Sequence, residues 1–369
     1  MKKKNKKFKI PIYEPFLGTK EKEYVNDCLR TNWISSRGTY VEKFEKKFKK
    51  FVKSKYASTC SNGTAAIHLA LLSLDIKKGD EVIVPTFTYV ATVNAIKYVG
   101  AKPVFVDSKI NTWQINEKKI LEKISKKTKA ILLAHLYGQT CDIDAIKIIS
   151  KEKQIYLIED CAEAFGTYYK KKHVGAFGDI ATYSFFGSKT ITTGEGGMVV
   201  TDNKKLIQKV NRLKNQGLAK NKNYYHDIVG YNYRMTNICA AIGLAQLEKA
   251  NKILTLKKKI FNCYKKYLNK NSKYLLKEAK DTKSSFWLVS ILLPPKVNRE
   301  LLISNLKNKG IEVKPTFCPM HTLPMYRQKI NRFPVSIALG NHGLNLPSSP
   351  NLTKAKIIFI CKIINNHLK

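Results

Sequence analysis

Ser184-Phe185-Phe186-Gly187-Ser188-Lys189-Thr190-Ile191-Thr192-Thr193-Gly194-Glu195-Gly196-Gly197 is the stretch on which the fold turns. It continues an apolar, strand-like run, Ile180-Ala181-Thr182-Tyr183-Ser184-Phe185-Phe186. A glycine-rich turn then leads into a second run, Met198-Val199-Val200-Thr201. Lysine is ordinarily a solvated surface residue, and for most lysines of this chain that reading stands. Lys189 differs, because small and hydroxyl-bearing residues flank it on both sides of a strand junction. An amine there can enter a partly desolvated pocket, lose its charge more readily and form a Schiff base.

Working outward, short β-branched runs alternate with helical periodicity from about residue 60 to about 200, the pattern of an α/β layered architecture. Strands are predicted at Glu81–Pro85, Pro103–Asp107, Ala130–His135 and Ile155–Asp160. Helices are predicted between them at Thr64–Leu74, Tyr89–Val99, Glu117–Ile124 and Ile143–Lys151. Beyond the Lys189 hairpin the spacing predicts a helix over 204–214 and one long helix from Asn237 into the 260s. The remainder mixes a strand pattern, Ser285–Leu293, with amphipathic helices. A chain of 369 residues is expected to form two units: a large, mostly parallel-sheet domain over 1–250, with a flexible basic segment 1–10, and a smaller α+β domain over 251–369.

A net charge of +40 invites a nucleic-acid reading. Yet arginine, the usual reader of phosphate and base edges, is confined to positions 30, 37, 212, 234, 299, 327 and 332, and the lysines are spread along the whole chain. A solvated lysine surface is expected, with no nucleic-acid partner. Eight cysteines are scattered without metal-ligand spacing, so reduced thiols and no metal site are expected. No apolar run approaches the ~20 residues needed to span a bilayer. Nor does an apolar stretch follow the lysines of residues 2–9, as it would in a signal peptide, so a cytoplasmic protein is expected, with no membrane association.

Asp160 closes the run Ile155-Tyr156-Leu157-Ile158-Glu159-Asp160, at the carboxyl end of a buried strand, where open α/β sheets bind ligands. It can hold a pyridine nitrogen protonated or, equally, cap a helix. Ser61-Asn62-Gly63-Thr64-Ala65 offers helix N-terminal amides to a phosphate, or is an ordinary capping turn. Tyr89 after the strand at 81–85 can stack on a flat ring or pack in the core. His135 and Tyr137 end another strand and can face the same crevice. Asn232 and Arg234 are candidate anion contacts in the loop Gly230-Tyr231-Asn232-Tyr233-Arg234-Met235-Thr236-Asn237.

In this order the motifs resemble the DegT/DnrJ/EryC1/StrS sugar aminotransferases, a fold-type I family dependent on pyridoxal phosphate. The likeness runs from Pro11-Ile12-Tyr13-Glu14-Pro15 to Leu346-Pro347-Ser348-Ser349-Pro350 and includes Asn32-Trp33-Ile34-Ser35-Ser36-Arg37-Gly38 and His321-Thr322-Leu323-Pro324-Met325-Tyr326. The resemblance implies pyridoxal 5′-phosphate as cofactor, cycling through pyridoxamine 5′-phosphate. It makes Lys189 the covalent anchor and Asp160 the partner of the pyridine nitrogen. Gly63, Thr64, Ala65 and Ser184 would serve the phosphate, Tyr89 the ring face and Glu163 the 3-hydroxyl. Asn232 would reach the neighbouring subunit's cofactor in a homodimer with shared sites. Trp33, Ser35, His135, Tyr137, Arg234, Phe317 and His321 are the implied substrate contacts. Within the family the likeness points to conversion of GDP-4-keto-6-deoxy-D-mannose and L-glutamate into GDP-perosamine and 2-oxoglutarate. A UDP- or dTDP-linked 4-keto-6-deoxy sugar is the alternative substrate. A basic nucleic-acid-binding or regulatory protein on the same fold is the alternative of another class.

Overall fold

The computed structural model describes residues 8–220 and 222–368. Its strands are β1 (Tyr56–Cys60), β2 (Glu81–Pro85), β3 (Lys102–Val106), β4 (Thr128–Ala134), β5 (Tyr156–Asp160), the short β6 (Tyr168–Tyr169) and β7 (Lys172–His173), β8 (Ile180–Ser184) and β9 (Gly197–Thr201). Seven of these form one sheet in the order β1-β9-β8-β5-β4-β2-β3. Neighbours from β8 through β3 run parallel, and β9 runs against both β8 and β1. The reversal follows from the hairpin at Lys189, since a short turn can join only antiparallel strands.

Helices cover both faces: α1 (Thr19–Arg30), α2 (Thr39–Val52), α3 (Gly63–Ser73), α4 (Val90–Tyr98), α5 (Ile143–Lys153), α6 (Lys204–Lys214) and α7 (Asn237–Glu248). Alternate strand residues therefore enter different cores. Val82 and Val84 pack with Leu69 and Leu71 of α3, whereas Ile83 packs with Ile131 and Ile146 on the opposite side. Under β8 and β9, Phe44 and Phe48 of α2 meet Tyr183, Phe185 and Met198.

The rest of the chain supplies α8 (Ala250–Tyr267), β10 (Thr282–Lys283), β11 (Val289–Leu292), α9 (Arg299–Asn308), β12 (Lys314–Pro315), α10 (Pro334–His342), β13 (Gly343–Leu346) and α11 (Lys354–His367). An antiparallel sheet β11-β13-β12 packs Val289, Ile291 and Leu344 against Ile260, Leu302 and Ile360 of α8, α9 and α11. Ile10 joins this core, paired with Ile311. Residues 1–7 of the basic segment lie outside the described residues. Among the described residues no helix is long and apolar enough to cross a membrane.

Three expectations are corrected. The helix over 117–124 is two 3-10 turns, Glu117–Lys119 and Leu121–Lys123. Its one fully buried side chain, Ile120, gives too little apolar face to offset helix nucleation. The long helix from Asn237 is two, α7 and α8, broken at Lys249 (φ −106°, ψ 14°), whose amine pairs with Glu21 at 2.6 Å. The strand over 285–293 shrinks to β11, because Ser284 Oγ and the Ser285 amide both donate to the Gly138 carbonyl and Phe286 takes a φ of +49°.

Candidate active site

The parallel strands deliver their carboxyl-terminal neighbours to one crevice, as such sheets do. β1 leads to Asn62-Gly63-Thr64, β2 to Thr88 and Tyr89, β4 to His135, β5 to Asp160 and Glu163, and β8 to Ser184 and Lys189. All of these line a cavity of about 660 Å3, roofed by Trp287, Phe317 and Asn345 from the C-terminal third. Lys189 and Asp160, distant in sequence, are both brought there by the neighbouring strands β8 and β5.

Asp160 is 6 % exposed. Its carboxylate accepts from Thr92 Oγ1 at 2.8 Å and from the Ala162 amide at 3.0 Å. No helix follows, so the capping reading fails: residues 161–167 form turns. Burial pushes the Asp160 carboxyl above its ordinary value, against the pull of Ala162, Thr92 and Lys189. A cationic N–H entering the cavity would relieve that cost. Glu163 accepts from the Tyr137 amide at 3.0 Å and lies 3.7 Å from Lys189 Nζ. Burial raises it to about 7, with Lys189 pulling the other way. The Lys189 side chain is 13 % exposed, and its Nζ sits 4.1 Å from the centre of the Trp287 ring.

Behind this front stands a buried strut. Glu159 accepts from His135 Nε2 at 3.1 Å and from the amides of Gly175, Phe177 and Gly178. Burial pushes its carboxyl up, but His135 and these amides hold it below the ordinary range. The Cys141 amide donates to His135 Nδ1, which leaves Nε2 as the protonated nitrogen. His135, Glu159 and Cys161 bring donor atoms within 4.8 Å of one another. His135 Nδ1 and both Glu159 carboxylate oxygens already accept hydrogen bonds, however, and burial keeps the Cys161 thiol protonated, so the trio is a buttress.

At the other end of the cavity α3 begins. Its Asn62 cap accepts from the Ala65 amide at 2.8 Å, which corrects the expected use of that amide for an anion. Gly63 and Thr64 remain at the positive end of the helix dipole. A Cβ on Gly63 would stand 2.7 Å from Ser184 Cβ, so this cradle needs glycine. An anion at Gly63, Thr64 and Ser184, a basic ring nitrogen at Asp160 and an aldehyde within reach of Lys189 are the features the residues call for. Pyridoxal phosphate carries all three. Tyr89, 54 % exposed at the cavity wall, is free to cover a ring face, its own ring 5.6 Å from that of Phe317.

The other expected contacts divide. Tyr137 is buried with a φ of +54°, a strained conformation that aims its amide at Glu163, and its ring stacks on Phe317 at 5.3 Å. His321 is fully enclosed, bonded to Thr86 Oγ1 at 2.7 Å and packed on Phe333 outside the cavity, so it has no path to a substrate. Trp33 lines a separate hollow beside Asn237. The Trp33 and Ser35 carbonyls accept from the Asn237 side chain and amide. Asn232 is exposed and accepts from Arg234 at 3.2 Å, and neither lines the cavity, although Tyr233 between them does. Within one chain these four do not join Lys189. Sequence reasoning missed Thr92 and Trp287 as cavity residues. Thr92 had a signal, one helical turn beyond Thr88 on α4. Trp287 had none, being 98 positions from Lys189.

Residues 15–365 match the DegT/DnrJ/EryC1/StrS aminotransferase family. The chain is 55 % identical over 356 residues to the GDP-perosamine synthase of Escherichia coli O157:H7, covering 96 % of this chain and 98 % of that protein. It is 49 % identical over 362 residues to the GDP-perosamine synthase of Vibrio cholerae, covering 97 % and 99 %. The solved structure of Spr1654 from Streptococcus pneumoniae in its PLP form superposes with a TM-score of 0.93 at 26 % identity, covering 97 % of this chain and 98 % of that one.

Proposed function

The chain belongs to the DegT/DnrJ/EryC1/StrS aminotransferase family, and from that premise we propose that it moves the amino group of L-glutamate to C4 of GDP-4-keto-6-deoxy-D-mannose, yielding GDP-perosamine and 2-oxoglutarate. The observation that carries the reading is the convergence of Lys189, Asp160 and the α3 N-terminus on one cavity. The choice of sugar is supported by the two relatives of that name.

The cofactor is pyridoxal 5′-phosphate, and when bound it supplies an electron sink for charge released at a neighbouring carbon. Lys189 would hold it covalently, and its Nζ would take and return the proton of the substrate carbon. Asp160, held by Thr92 and Ala162, would keep the pyridine nitrogen protonated. Gly63, Thr64 and Ser184 would hold the phosphate, Tyr89 would cover the ring and Glu163 would serve the 3-hydroxyl. Trp287 and Phe317 exclude water from the amine's side of the cavity. The exposed position of Asn232 supports a homodimer in which Asn232 of the partner subunit completes the phosphate site. On the same reading the chain divides near residue 250, and the enzyme works in the cytoplasm, in keeping with its eight free thiols.

Incubation with glutamate and, separately, GDP-, UDP- and dTDP-linked 4-keto-6-deoxy sugars, read by product mass, tests the assignment. Amination of the GDP sugar is expected. Turnover of a UDP or dTDP sugar in its place would move the nucleotide preference, and no amination of any would overturn the function.

A further inference from the structure

The backbone of Lys189 is held from both ends of the chain. Tyr13 Oη donates to the Lys189 carbonyl at 2.9 Å, and Trp287 Nε1 donates to the Ser188 carbonyl at 2.8 Å. The Lys189 amide closes a turn on the Phe186 carbonyl at 2.9 Å. Three consecutive polar groups around this one Cα are thus committed, in a turn where no helix or strand would fix them.

Each holder is itself fixed. Tyr13 lies on an extended segment laced to the C-terminal elements. The Ile10 amide donates to the Gly310 carbonyl, the Ile12 amide to Glu312 Oε2, the Ser348 amide to the Ile12 carbonyl, and the Glu14 amide to Ser349 Oγ at 2.7 Å. Beneath the phenol ring, Lys257 Nζ stands 4.8 Å from its centre and donates to the Ser348 carbonyl at 3.1 Å. Burial pushes the Tyr13 phenol up, which keeps its hydroxyl a donor. The Trp287 ring, 5 % exposed, is stacked on Tyr137 with centroids 6.0 Å apart.

A lysine that must leave one carbon, carry a proton and return to the same carbon has four side-chain torsions in which to lose its aim. If its Cα also moved, the returning amine would search a larger volume, and orientation lost in this way lowers rate without weakening substrate binding. We propose that Tyr13 and Trp287 are positioning residues that clamp the backbone at Ser188 and Lys189, so that the travel of Nζ is confined to the side chain. The proposal rests on the assignment of Lys189 as the covalent anchor. Trp287 has a second task, its ring face bounding the amine on one side while Glu163 bounds it on the other.

The test separates the clamp from the anchor. Apoprotein is mixed with pyridoxal phosphate, reduced with borohydride at intervals, digested, and the Lys189 peptide quantified by mass. Tyr13→Phe and Trp287→Phe, which keep an aromatic ring, should each slow labelling of Lys189 by about fivefold, the scale of one neutral hydrogen bond. The kcat should fall comparably, KM for glutamate should stay unchanged, and the apoprotein melting temperature should hold. Labelling and kcat equal to the parent in both variants, or losses that merely follow the unfolded fraction, would overturn the clamp. Should Trp287→Phe not fold, Tyr13→Phe, which removes one oxygen atom, decides alone. If the unmodified protein is not labelled at Lys189, the anchor assignment itself fails and the clamp falls with it.

Discussion

Asp160 and Glu163 are buried carboxyls held above their ordinary values, and a fold gains nothing from carrying them so. Both shifts have burial as the largest cause, so both groups cost stability once ionised. Asp160→Asn should therefore leave the apoprotein at least as stable while lowering kcat by about 10²–10³-fold, the loss usual for a preorganised electrostatic partner. Thermal melts beside steady-state rates check this, and parallel losses in both would return Asp160 to a structural role. Glu163 allows a signed prediction. Its folded value of about 7 lies above the ordinary 4.5, so as pH rises between the two the unfolded chain releases a proton that the folded chain retains. Stability must fall across that window, by on the order of 3 kcal/mol for this group. Glu163→Gln should flatten the decline in apoprotein melting temperature from pH 5 to pH 8.

At the scale of elements, the strands were the most legible part. Glu81–Pro85 is continuous, apolar and bounded by polar residues, and it folds as read. β1 escaped notice because Tyr56-Ala57-Ser58-Thr59-Cys60 has no aliphatic run; it is a strand through its pairing with β9. The site was readable where chemistry sits next to a strand end, as at Asp160, Lys189 and Gly63. It was unreadable where tertiary packing decides, as at His321, which family position places beside the substrate and packing encloses. The α3 N-terminus yields a test of its own. Gly63→Ala drives a methyl to within 2.7 Å of Ser184 Cβ, and the overpacking should weaken cofactor binding by about 1–3 kcal/mol. Titration of apoprotein with pyridoxal phosphate measures it, and unaltered affinity would place the phosphate elsewhere.

For the whole molecule, the cavity of one chain lacks Trp33, Ser35, Asn232 and Arg234, although the family resemblance assigns them to the site. In the homodimer proposed above, a second copy would supply them. Lys189→Ala and Asn232→Ala, each inactive alone, should when refolded together recover about a quarter of parental activity, since half the dimers are mixed and each mixed dimer holds one intact site. No recovery, with mixed dimers verified by mass, would show that each chain completes its own site. The +40 charge misleads at this scale, for it describes the surface and says nothing of the one lysine that matters.

The lacing of Ile12 to Glu312 and Ser348 has a consequence for how the protein is born. Some 300 residues separate the first pair in sequence, and at ordinary rates of ribosomal synthesis, roughly 5–20 residues per second, the second partner emerges about 15–60 s after the first. Until Glu312 and Ser348 emerge, the segment that carries Tyr13 lacks the partners that hold it beside Lys189, whereas Trp287 needs only Tyr137 and Ser188, both made before it. Tyr13 is therefore fastened later than Trp287, so the two halves of the clamp close in the reverse of their order of synthesis.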